Sequence, residues 1–216
     1  MKMILSSCDF SNPNSKQVIL DNLDKKLCEC KVLFIPNQKA TYEKIHSDKY
    51  YDRLIECGFG KRENIYIFDE SESEKFKNLN IDIIYISGGN TFATLNKIRK
   101  ANFDNEIKKY IKKGVIYIGG SCGAHIVTRN IEHLLKLEDN YINIMDFNAL
   151  GLFDGVIVPH CEANEYTPEL REKIYSELLK EKKYNVYKLT NAESLIVTEE
   201  KIIKKYRKWF MRKITI

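Results

Sequence analysis

Proline supplies four of the 216 residues and glycine ten, and no stretch rich in Pro, Gly or Ser divides the chain. Linker-separated modules, collagen-like repeats and low-complexity architectures are thereby excluded. No window approaches eighteen consecutive apolar residues, and the opening Met-Lys-Met-Ile-Leu lacks the organisation of a signal peptide. The expectation is a cytoplasmic protein with no membrane partner. Six cysteines are scattered through the chain (Cys8, Cys28, Cys30, Cys57, Cys122, Cys161), and the close pair Cys28 and Cys30 has no second pair to complete a zinc site. A chain of this length needs no disulfide framework, so free thiols are expected, with no metal and no other cofactor.

What is present is a composition of 44% hydrophobic and 30% charged residues, enough for a real core in one domain spanning 1–216. The formal charge of +5 is unevenly placed. Lys201, Lys204, Lys205, Arg207, Lys208, Arg212 and Lys213 fall in the last sixteen residues without an acid, leaving 28 basic against 30 acidic residues in the first 200. A near-neutral body with no nucleic-acid motif argues against a nucleic-acid partner. The segment 199–216 is ambiguous. Ile202, Ile203, Tyr206, Trp209 and Phe210 share a helical stripe, whereas Leu195–Val197 and Lys213–Ile216 have the pattern of strands.

Short apolar runs at Met3–Ser6, Lys31–Ile35, Asn64–Phe68, Ile81–Ile86, Gly114–Ile118 and Gly155–Val158 alternate with helix-type patterns. The helical stretches are Ser15–Cys28, Tyr42–Cys57, Thr91–Arg99, Phe103–Lys112 and Cys122–Arg129, and Glu70–Lys77 is a solvated loop or short helix. Continuous apolar strands separated by helices predict an α/β fold, a three-layer α/β/α sandwich around a mostly parallel, doubly wound sheet. Such sheets place ligands at the carboxyl ends of their strands.

Three strand ends carry chemistry. Tyr117-Ile118-Gly119-Gly120-Ser121-Cys122-Gly123-Ala124 runs from a strand through Gly-x-Ser-x-Gly into a helix, the pattern of a nucleophile elbow. Its small residues let backbones pass closely, and the Cys122 N–H at the helix start faces a developing oxyanion. Ile83–Ile86 ends in Ser87-Gly88-Gly89-Asn90-Thr91-Phe92, suited to the second half of an oxyanion hole with a helix cap. Val156–Val158 ends in Pro159-His160, a base at a strand end, while His46 lies in a polar helix, His125 follows the elbow and His133 falls in a surface stretch. A hydrolase of another kind on this scaffold, or a non-catalytic binding protein, carries the same pattern.

Taken together, the Gly88-to-Phe92 loop, the elbow, and Leu150-Gly151-Leu152 followed by Val158-Pro159-His160 resemble the dipeptidase E and cyanophycinase family of serine peptidases, over about residues 1–198. That resemblance implies a glutamine amidotransferase-like fold, Ser121 as nucleophile, His160 as base, and Gly89 and Cys122 as oxyanion donors. Its acid falls on Glu138, with Asp139 and Glu132 as alternatives. Gly88, Asn90, Thr91 and Arg171 are implied in substrate binding, and the implied substrate is a short peptide, a dipeptide with amino-terminal aspartate, handled by a monomer or homodimer. A second arginine of some members corresponds to Ile174 here. Cys122 is not itself placed for attack, because Ser121 occupies the central position of the elbow.

Overall fold

A computed structural model describes residues 1–162 and 167–205. Its main sheet contains β1 (Lys2–Ser6), β2 (Val32–Ile35), β3 (Ile65–Ile67), β4 (Ile83–Ile86), β5 (Ile116–Gly120), β8 (Ser194–Thr198) and β9 (Ile202–Lys205). The order is β3-β2-β4-β5-β1-β8-β9. The first five strands are mutually parallel, β8 runs antiparallel to β1, and β9 runs antiparallel to β8. A separate two-stranded parallel sheet joins β6 (Val156–Val158) to β7 (Val186–Lys188).

Strand residues alternate between two apolar faces. Met3, Leu5, Leu33, Ile84, Ile86 and Tyr117 pack against α4 (Thr91–Lys100), α5 (Asp104–Lys112) and α6 (Cys122–Ile126). Ile4, Val32, Phe34, Ile83, Tyr85 and Ile118 pack against α1 (Pro13–Asp21), α2 (Tyr42–Ile45) and α3 (Lys49–Cys57). Both faces are dry, which is why these strands read as unbroken apolar runs. The three-layer α/β expectation is met. A smaller cluster of Val156, Val158, Ile174 and Leu178 seats α7 (Pro168–Glu181) on the β6–β7 pair.

Several boundaries differ from expectation, each with a local cause. Asn12 caps α1 through Oδ1, accepting from Asn14 N at 2.9 Å, and Pro13 opens the helix, so it starts earlier than Ser15 and stops at Asp21. The single helix expected over Tyr42–Cys57 is two, broken at residues 46–48, and Gly58 ends the second in a left-handed conformation (φ 112°). Glu70–Phe76 forms a 3-10 helix. Ile202–Lys205 is a strand rather than part of a helical stripe, whereas Tyr206, Trp209, Phe210 and Lys213–Ile216 lie outside the described residues.

Ile84 is fully buried at the centre of the sheet, between β2 and β5. Ile84→Ala should therefore cost about 2–5 kcal/mol through lost burial and a residual cavity. Denaturant unfolding would show this as a lower midpoint with an unchanged slope.

Candidate active site

The carboxyl ends of β1, β4 and β5 meet at Ser121. Its backbone has φ 47° and ψ −105°, a conformation that costs a non-glycine residue roughly 1–3 kcal/mol and needs enforcement by its surroundings. Ser121 N–H donates to Ser6 O at 2.8 Å, extending the β1–β5 ladder, while Ser121 O accepts from Ala124 N at 2.9 Å and His125 N at 3.1 Å. A Cβ on Gly123 would lie 2.0 Å from Ile86 O, and one on Gly119 would lie 2.6 Å from Gly123 O. Only bare backbone fits this crossing of β4, β5 and α6, and the Gly-x-Ser-x-Gly spacing follows from that contact.

Ser121 Oγ lies 3.3 Å from His160 Nε2, the loose end of hydrogen-bonding reach. His160 sits just past β6 with φ 56°, its N–H donating to Ser7 Oγ at 3.1 Å. Ser7 in turn donates to Leu189 O at 3.4 Å, so one serine after β1 ties the small sheet to the large one. His160 Nδ1 lies 2.6 Å from Asn191 Oδ1, with Cys8 Sγ at 3.9 Å from the same nitrogen.

The expected acid is not there. Glu138, Asp139 and Glu132 are absent from the hydrogen-bond partners of His160, and Asn191 occupies the position. Glu138 instead accepts from Thr91 N at 2.6 Å and from Thr91 Oγ1 at 2.9 Å, at the start of α4. Asp139 is exposed and contributes its carbonyl to Asn90 Nδ2 at 2.8 Å, and Glu132 is exposed on a 3-10 helix. Burial raises the Glu138 carboxyl above its ordinary value, a shift reduced by the two Thr91 bonds and by Arg171.

The loop after β4 presents Gly88 to the serine, since a Cβ on Gly88 would stand 3.7 Å from Ser121 Cβ. Gly89 is exposed, and among the described residues its N–H and that of Cys122 have no hydrogen-bond partner. Asn90 caps α4 by accepting from Ala93 N at 2.9 Å, and its own N–H donates to Gln38 Oε1 at 2.9 Å. Thr91 was expected to meet substrate, but it is fully buried and both its N–H and its hydroxyl are committed to Glu138. Arg171, on the first turn of α7, is half-buried and donates from Nη1 to Pro159 O at 2.9 Å, beside His160.

The Cys122 side chain is fully buried, and burial pushes its thiol up to about 12, so it is no nucleophile at neutral pH. His133, expected at the surface, is instead half-buried. It contacts Ile157 O at 3.0 Å through Nε2, and burial lowers it to about 4. His125 is buried behind the elbow, 3.2 Å from Thr91 Oγ1, and burial holds it well below its ordinary range. His46 pairs with Asp69 at 2.9 Å, away from Ser121. Asn191, Ser7 and Gln38 are the positions that sequence reasoning missed. Asn191 was within reach of the strand-end rule, since it follows β7, but no strand was expected over Val186–Lys188.

The fold and this strand-turn-helix site define a three-layer α/β protein built around an elbow at the carboxyl edge of its sheet. The chain belongs to peptidase family S51, whose model matches residues 3–205. It is 31% identical over 126 residues to an uncharacterized peptidase of Listeria monocytogenes, covering 57% of this chain and 60% of that protein. An uncharacterized peptidase of Pasteurella multocida is 38% identical over 81 residues, 37% of this chain and 39% of the relative. Peptidase E of Salmonella arizonae is 36% identical over 104 residues, 45% of this chain and 43% of the relative. The matches therefore span about three fifths or less of these relatives. A crystal structure of a candidate Peptidase E protein from Listeria monocytogenes EGD-e superposes with a TM-score of 0.75 at 24% identity, over 96% of this chain and 98% of that one. A peptidase from an acI-B1 Actinobacterium gives 0.62 at 13% identity, over 95% and 87%. These two likenesses concern the fold.

Removing the charge at Glu138 tests its new placement. The folded protein holds the Glu138 proton more tightly than the unfolded chain, so wild-type stability should fall as pH rises above the ordinary 4.5 and through the raised folded value. Glu138→Gln keeps an acceptor for Thr91 and lacks this titration. Its melting temperature relative to wild type should climb between pH 4.5 and neutrality. A difference that shrank with rising pH would show that the ionised carboxylate stabilises the loop.

Proposed function

We propose that the chain is a serine-type peptidase that hydrolyses short peptides, with Ser121 as nucleophile and His160 as general base. The observation that carries this reading is the 3.3 Å approach of Ser121 Oγ to His160 Nε2 at a strained turn beside unengaged backbone N–H groups. Ser121 Oγ attacks the scissile carbonyl carbon while its proton passes to His160 Nε2. The carbonyl oxygen becomes an oxyanion facing the N–H groups of Cys122 and Gly89. His160 then gives its proton to the leaving amine as the C–N bond breaks, leaving an acyl-Ser121 ester. Water, deprotonated by His160, attacks that ester, and the proton returns to Ser121 as the acid product leaves.

A short peptide with an amino-terminal aspartate is the substrate we infer, with Arg171 as the guanidinium at the rim of the site. Arg171 already donates to Pro159 O, so acidic selectivity is the finer part of the reading. No metal or cofactor enters the chemistry, and nucleic acid and membrane are not among the proposed partners. We place the enzyme in the cytoplasm, as a monomer or homodimer. None of the six cysteines is joined in a disulfide, and among the described residues no helix is long and apolar enough to cross a membrane.

A fluorophosphonate should form an adduct on Ser121 of the wild type and none on Ser121→Ala, read by intact mass. Wild type unmodified, or both proteins labelled equally, would defeat the catalytic assignment. Among aspartyl, glutamyl and neutral dipeptides, the aspartyl ones should be hydrolysed with the highest kcat/KM, and Arg171→Met should remove about tenfold or more of that preference, on the order of one charge-assisted hydrogen bond. Equal turnover of neutral dipeptides would end the acidic reading and leave the peptidase intact.

A further inference from the structure

We propose that Asn191 is the positioning residue of the site: its neutral amide oxygen, in place of a carboxylate, fixes the tautomer and orientation of His160. The inference rests on the reading of Ser121 and His160 as nucleophile and base.

The base must present an unprotonated Nε2 to the serine, so its one proton belongs on Nδ1. An acceptor at Nδ1 selects that tautomer. Asn191 Oδ1 at 2.6 Å is such an acceptor, and an amide oxygen can only accept. The residue is held from two sides through its backbone. Its N–H donates to Glu162 Oε1 at 2.7 Å, and its carbonyl accepts from Ser15 Oγ of α1 at 3.1 Å. Ser7 fixes the backbone of His160 by accepting from its main-chain N–H. Ring, acceptor and serine are thus located by β1, α1, β5, β6 and β7 together, before any substrate arrives.

A carboxylate at that place would also stabilise the imidazolium formed when Ser121 gives up its proton, and an amide does so only through its dipole. Among the described residues, the other titratable or charged groups around His160 are Cys8, Glu162 behind Asn191, Arg171 on Pro159 O, and buried His125. Of these only Cys8 contacts Nδ1, through Sγ at 3.9 Å, much farther than Asn191 Oδ1 at 2.6 Å. The site should therefore respond to a charge introduced at residue 191 in a way that a merely structural asparagine would not.

The test compares wild type, Asn191→Ala and Asn191→Asp, each shown folded by circular dichroism. The second-order rate of fluorophosphonate labelling is measured from pH 5 to 9, and the imidazole 15N resonances of His160 report the tautomer, with or without activity. In wild type the His160 proton should sit on Nδ1. Asn191→Ala should slow labelling by about 10²-fold or more, as loss of tautomer control does in related sites. Asn191→Asp should restore labelling and raise the midpoint of the acid limb by about one unit or more, because an adjacent carboxylate favours the charged imidazole.

Labelling of Asn191→Ala within twofold of wild type, an unmoved midpoint in Asn191→Asp, or a wild-type proton on Nε2 would each overturn the proposal. A wild type with the proton on Nδ1 that is never labelled at Ser121 would instead bring down the peptidase reading and leave the Asn191 contact standing. Were both variants to misfold, the wild-type tautomer alone would decide between the proposal and its rejection.

Discussion

The whole site depends on holding one serine in a backbone conformation that serine disfavours. Ser121 at φ 47° is kept there because its N–H continues the β1–β5 ladder and its carbonyl is taken by α6. Between those two constraints the chain must reverse within one residue, and it can do so only where α6 touches β4 and β5 without side chains. Gly119 and Gly123 are therefore packing residues first. Tyr117, fully buried, donates to Gly123 O at 2.6 Å and closes the same crossing from the helix side. A strain of roughly 1–3 kcal/mol is small against a sheet whose two faces are both buried, which is why this fold can hold it.

The histidine presents a different problem, because it comes from another sheet. β6 and β7 pair with each other and not with the main sheet, so their position relative to Ser121 is set by side chains and loops. Ser7 bridges β1 to Leu189 and to His160, and Ser15 bridges α1 to Asn191. These hydroxyl contacts are each worth about 0.5–1.5 kcal/mol, yet they help hold the 3.3 Å approach of two residues 39 positions apart. Positioning at this site is distributed over weak bonds on a rigid scaffold, and the buried clusters supply the rigidity.

Most of this was legible in the sequence because both sheet faces are buried: six apolar runs marked six of the nine strands among the described residues, with ends shifted by one or two residues. The elbow was legible because its glycine spacing has a steric cause. What escaped has causes too. β7 is half-buried and polar at Lys188, so no apolar run announces it, and without β7 nothing placed Asn191 at a strand end. The break at residues 46–48 leaves the helical period intact on both sides. His133 follows the charged Glu132, which suggested a surface stretch, and its ring instead meets Ile157 O. Glu138 was assigned by chain order, which says nothing of which way a loop carboxylate faces.

That last difference changes the electrostatics of the site. A carboxylate cannot serve both the α4 start and the imidazole, and here it serves the helix, where two donors from Thr91 and the dipole of a ten-residue helix offset part of its burial. On the proposed mechanism, an ionised acid at His160 would put a negative charge near the oxyanion formed at Ser121. The amide of Asn191 supplies direction to the imidazole without that charge. The arrangement separates two places that a triad carboxylate would join: a neutral acceptor, Asn191, lies beside His160, and the Glu138 carboxyl lies at the start of α4, where it accepts from Thr91. The Glu138 carboxyl and the Asn191 amide thus act on different sides of Ser121, one on the loop before α4 and the other on the imidazole.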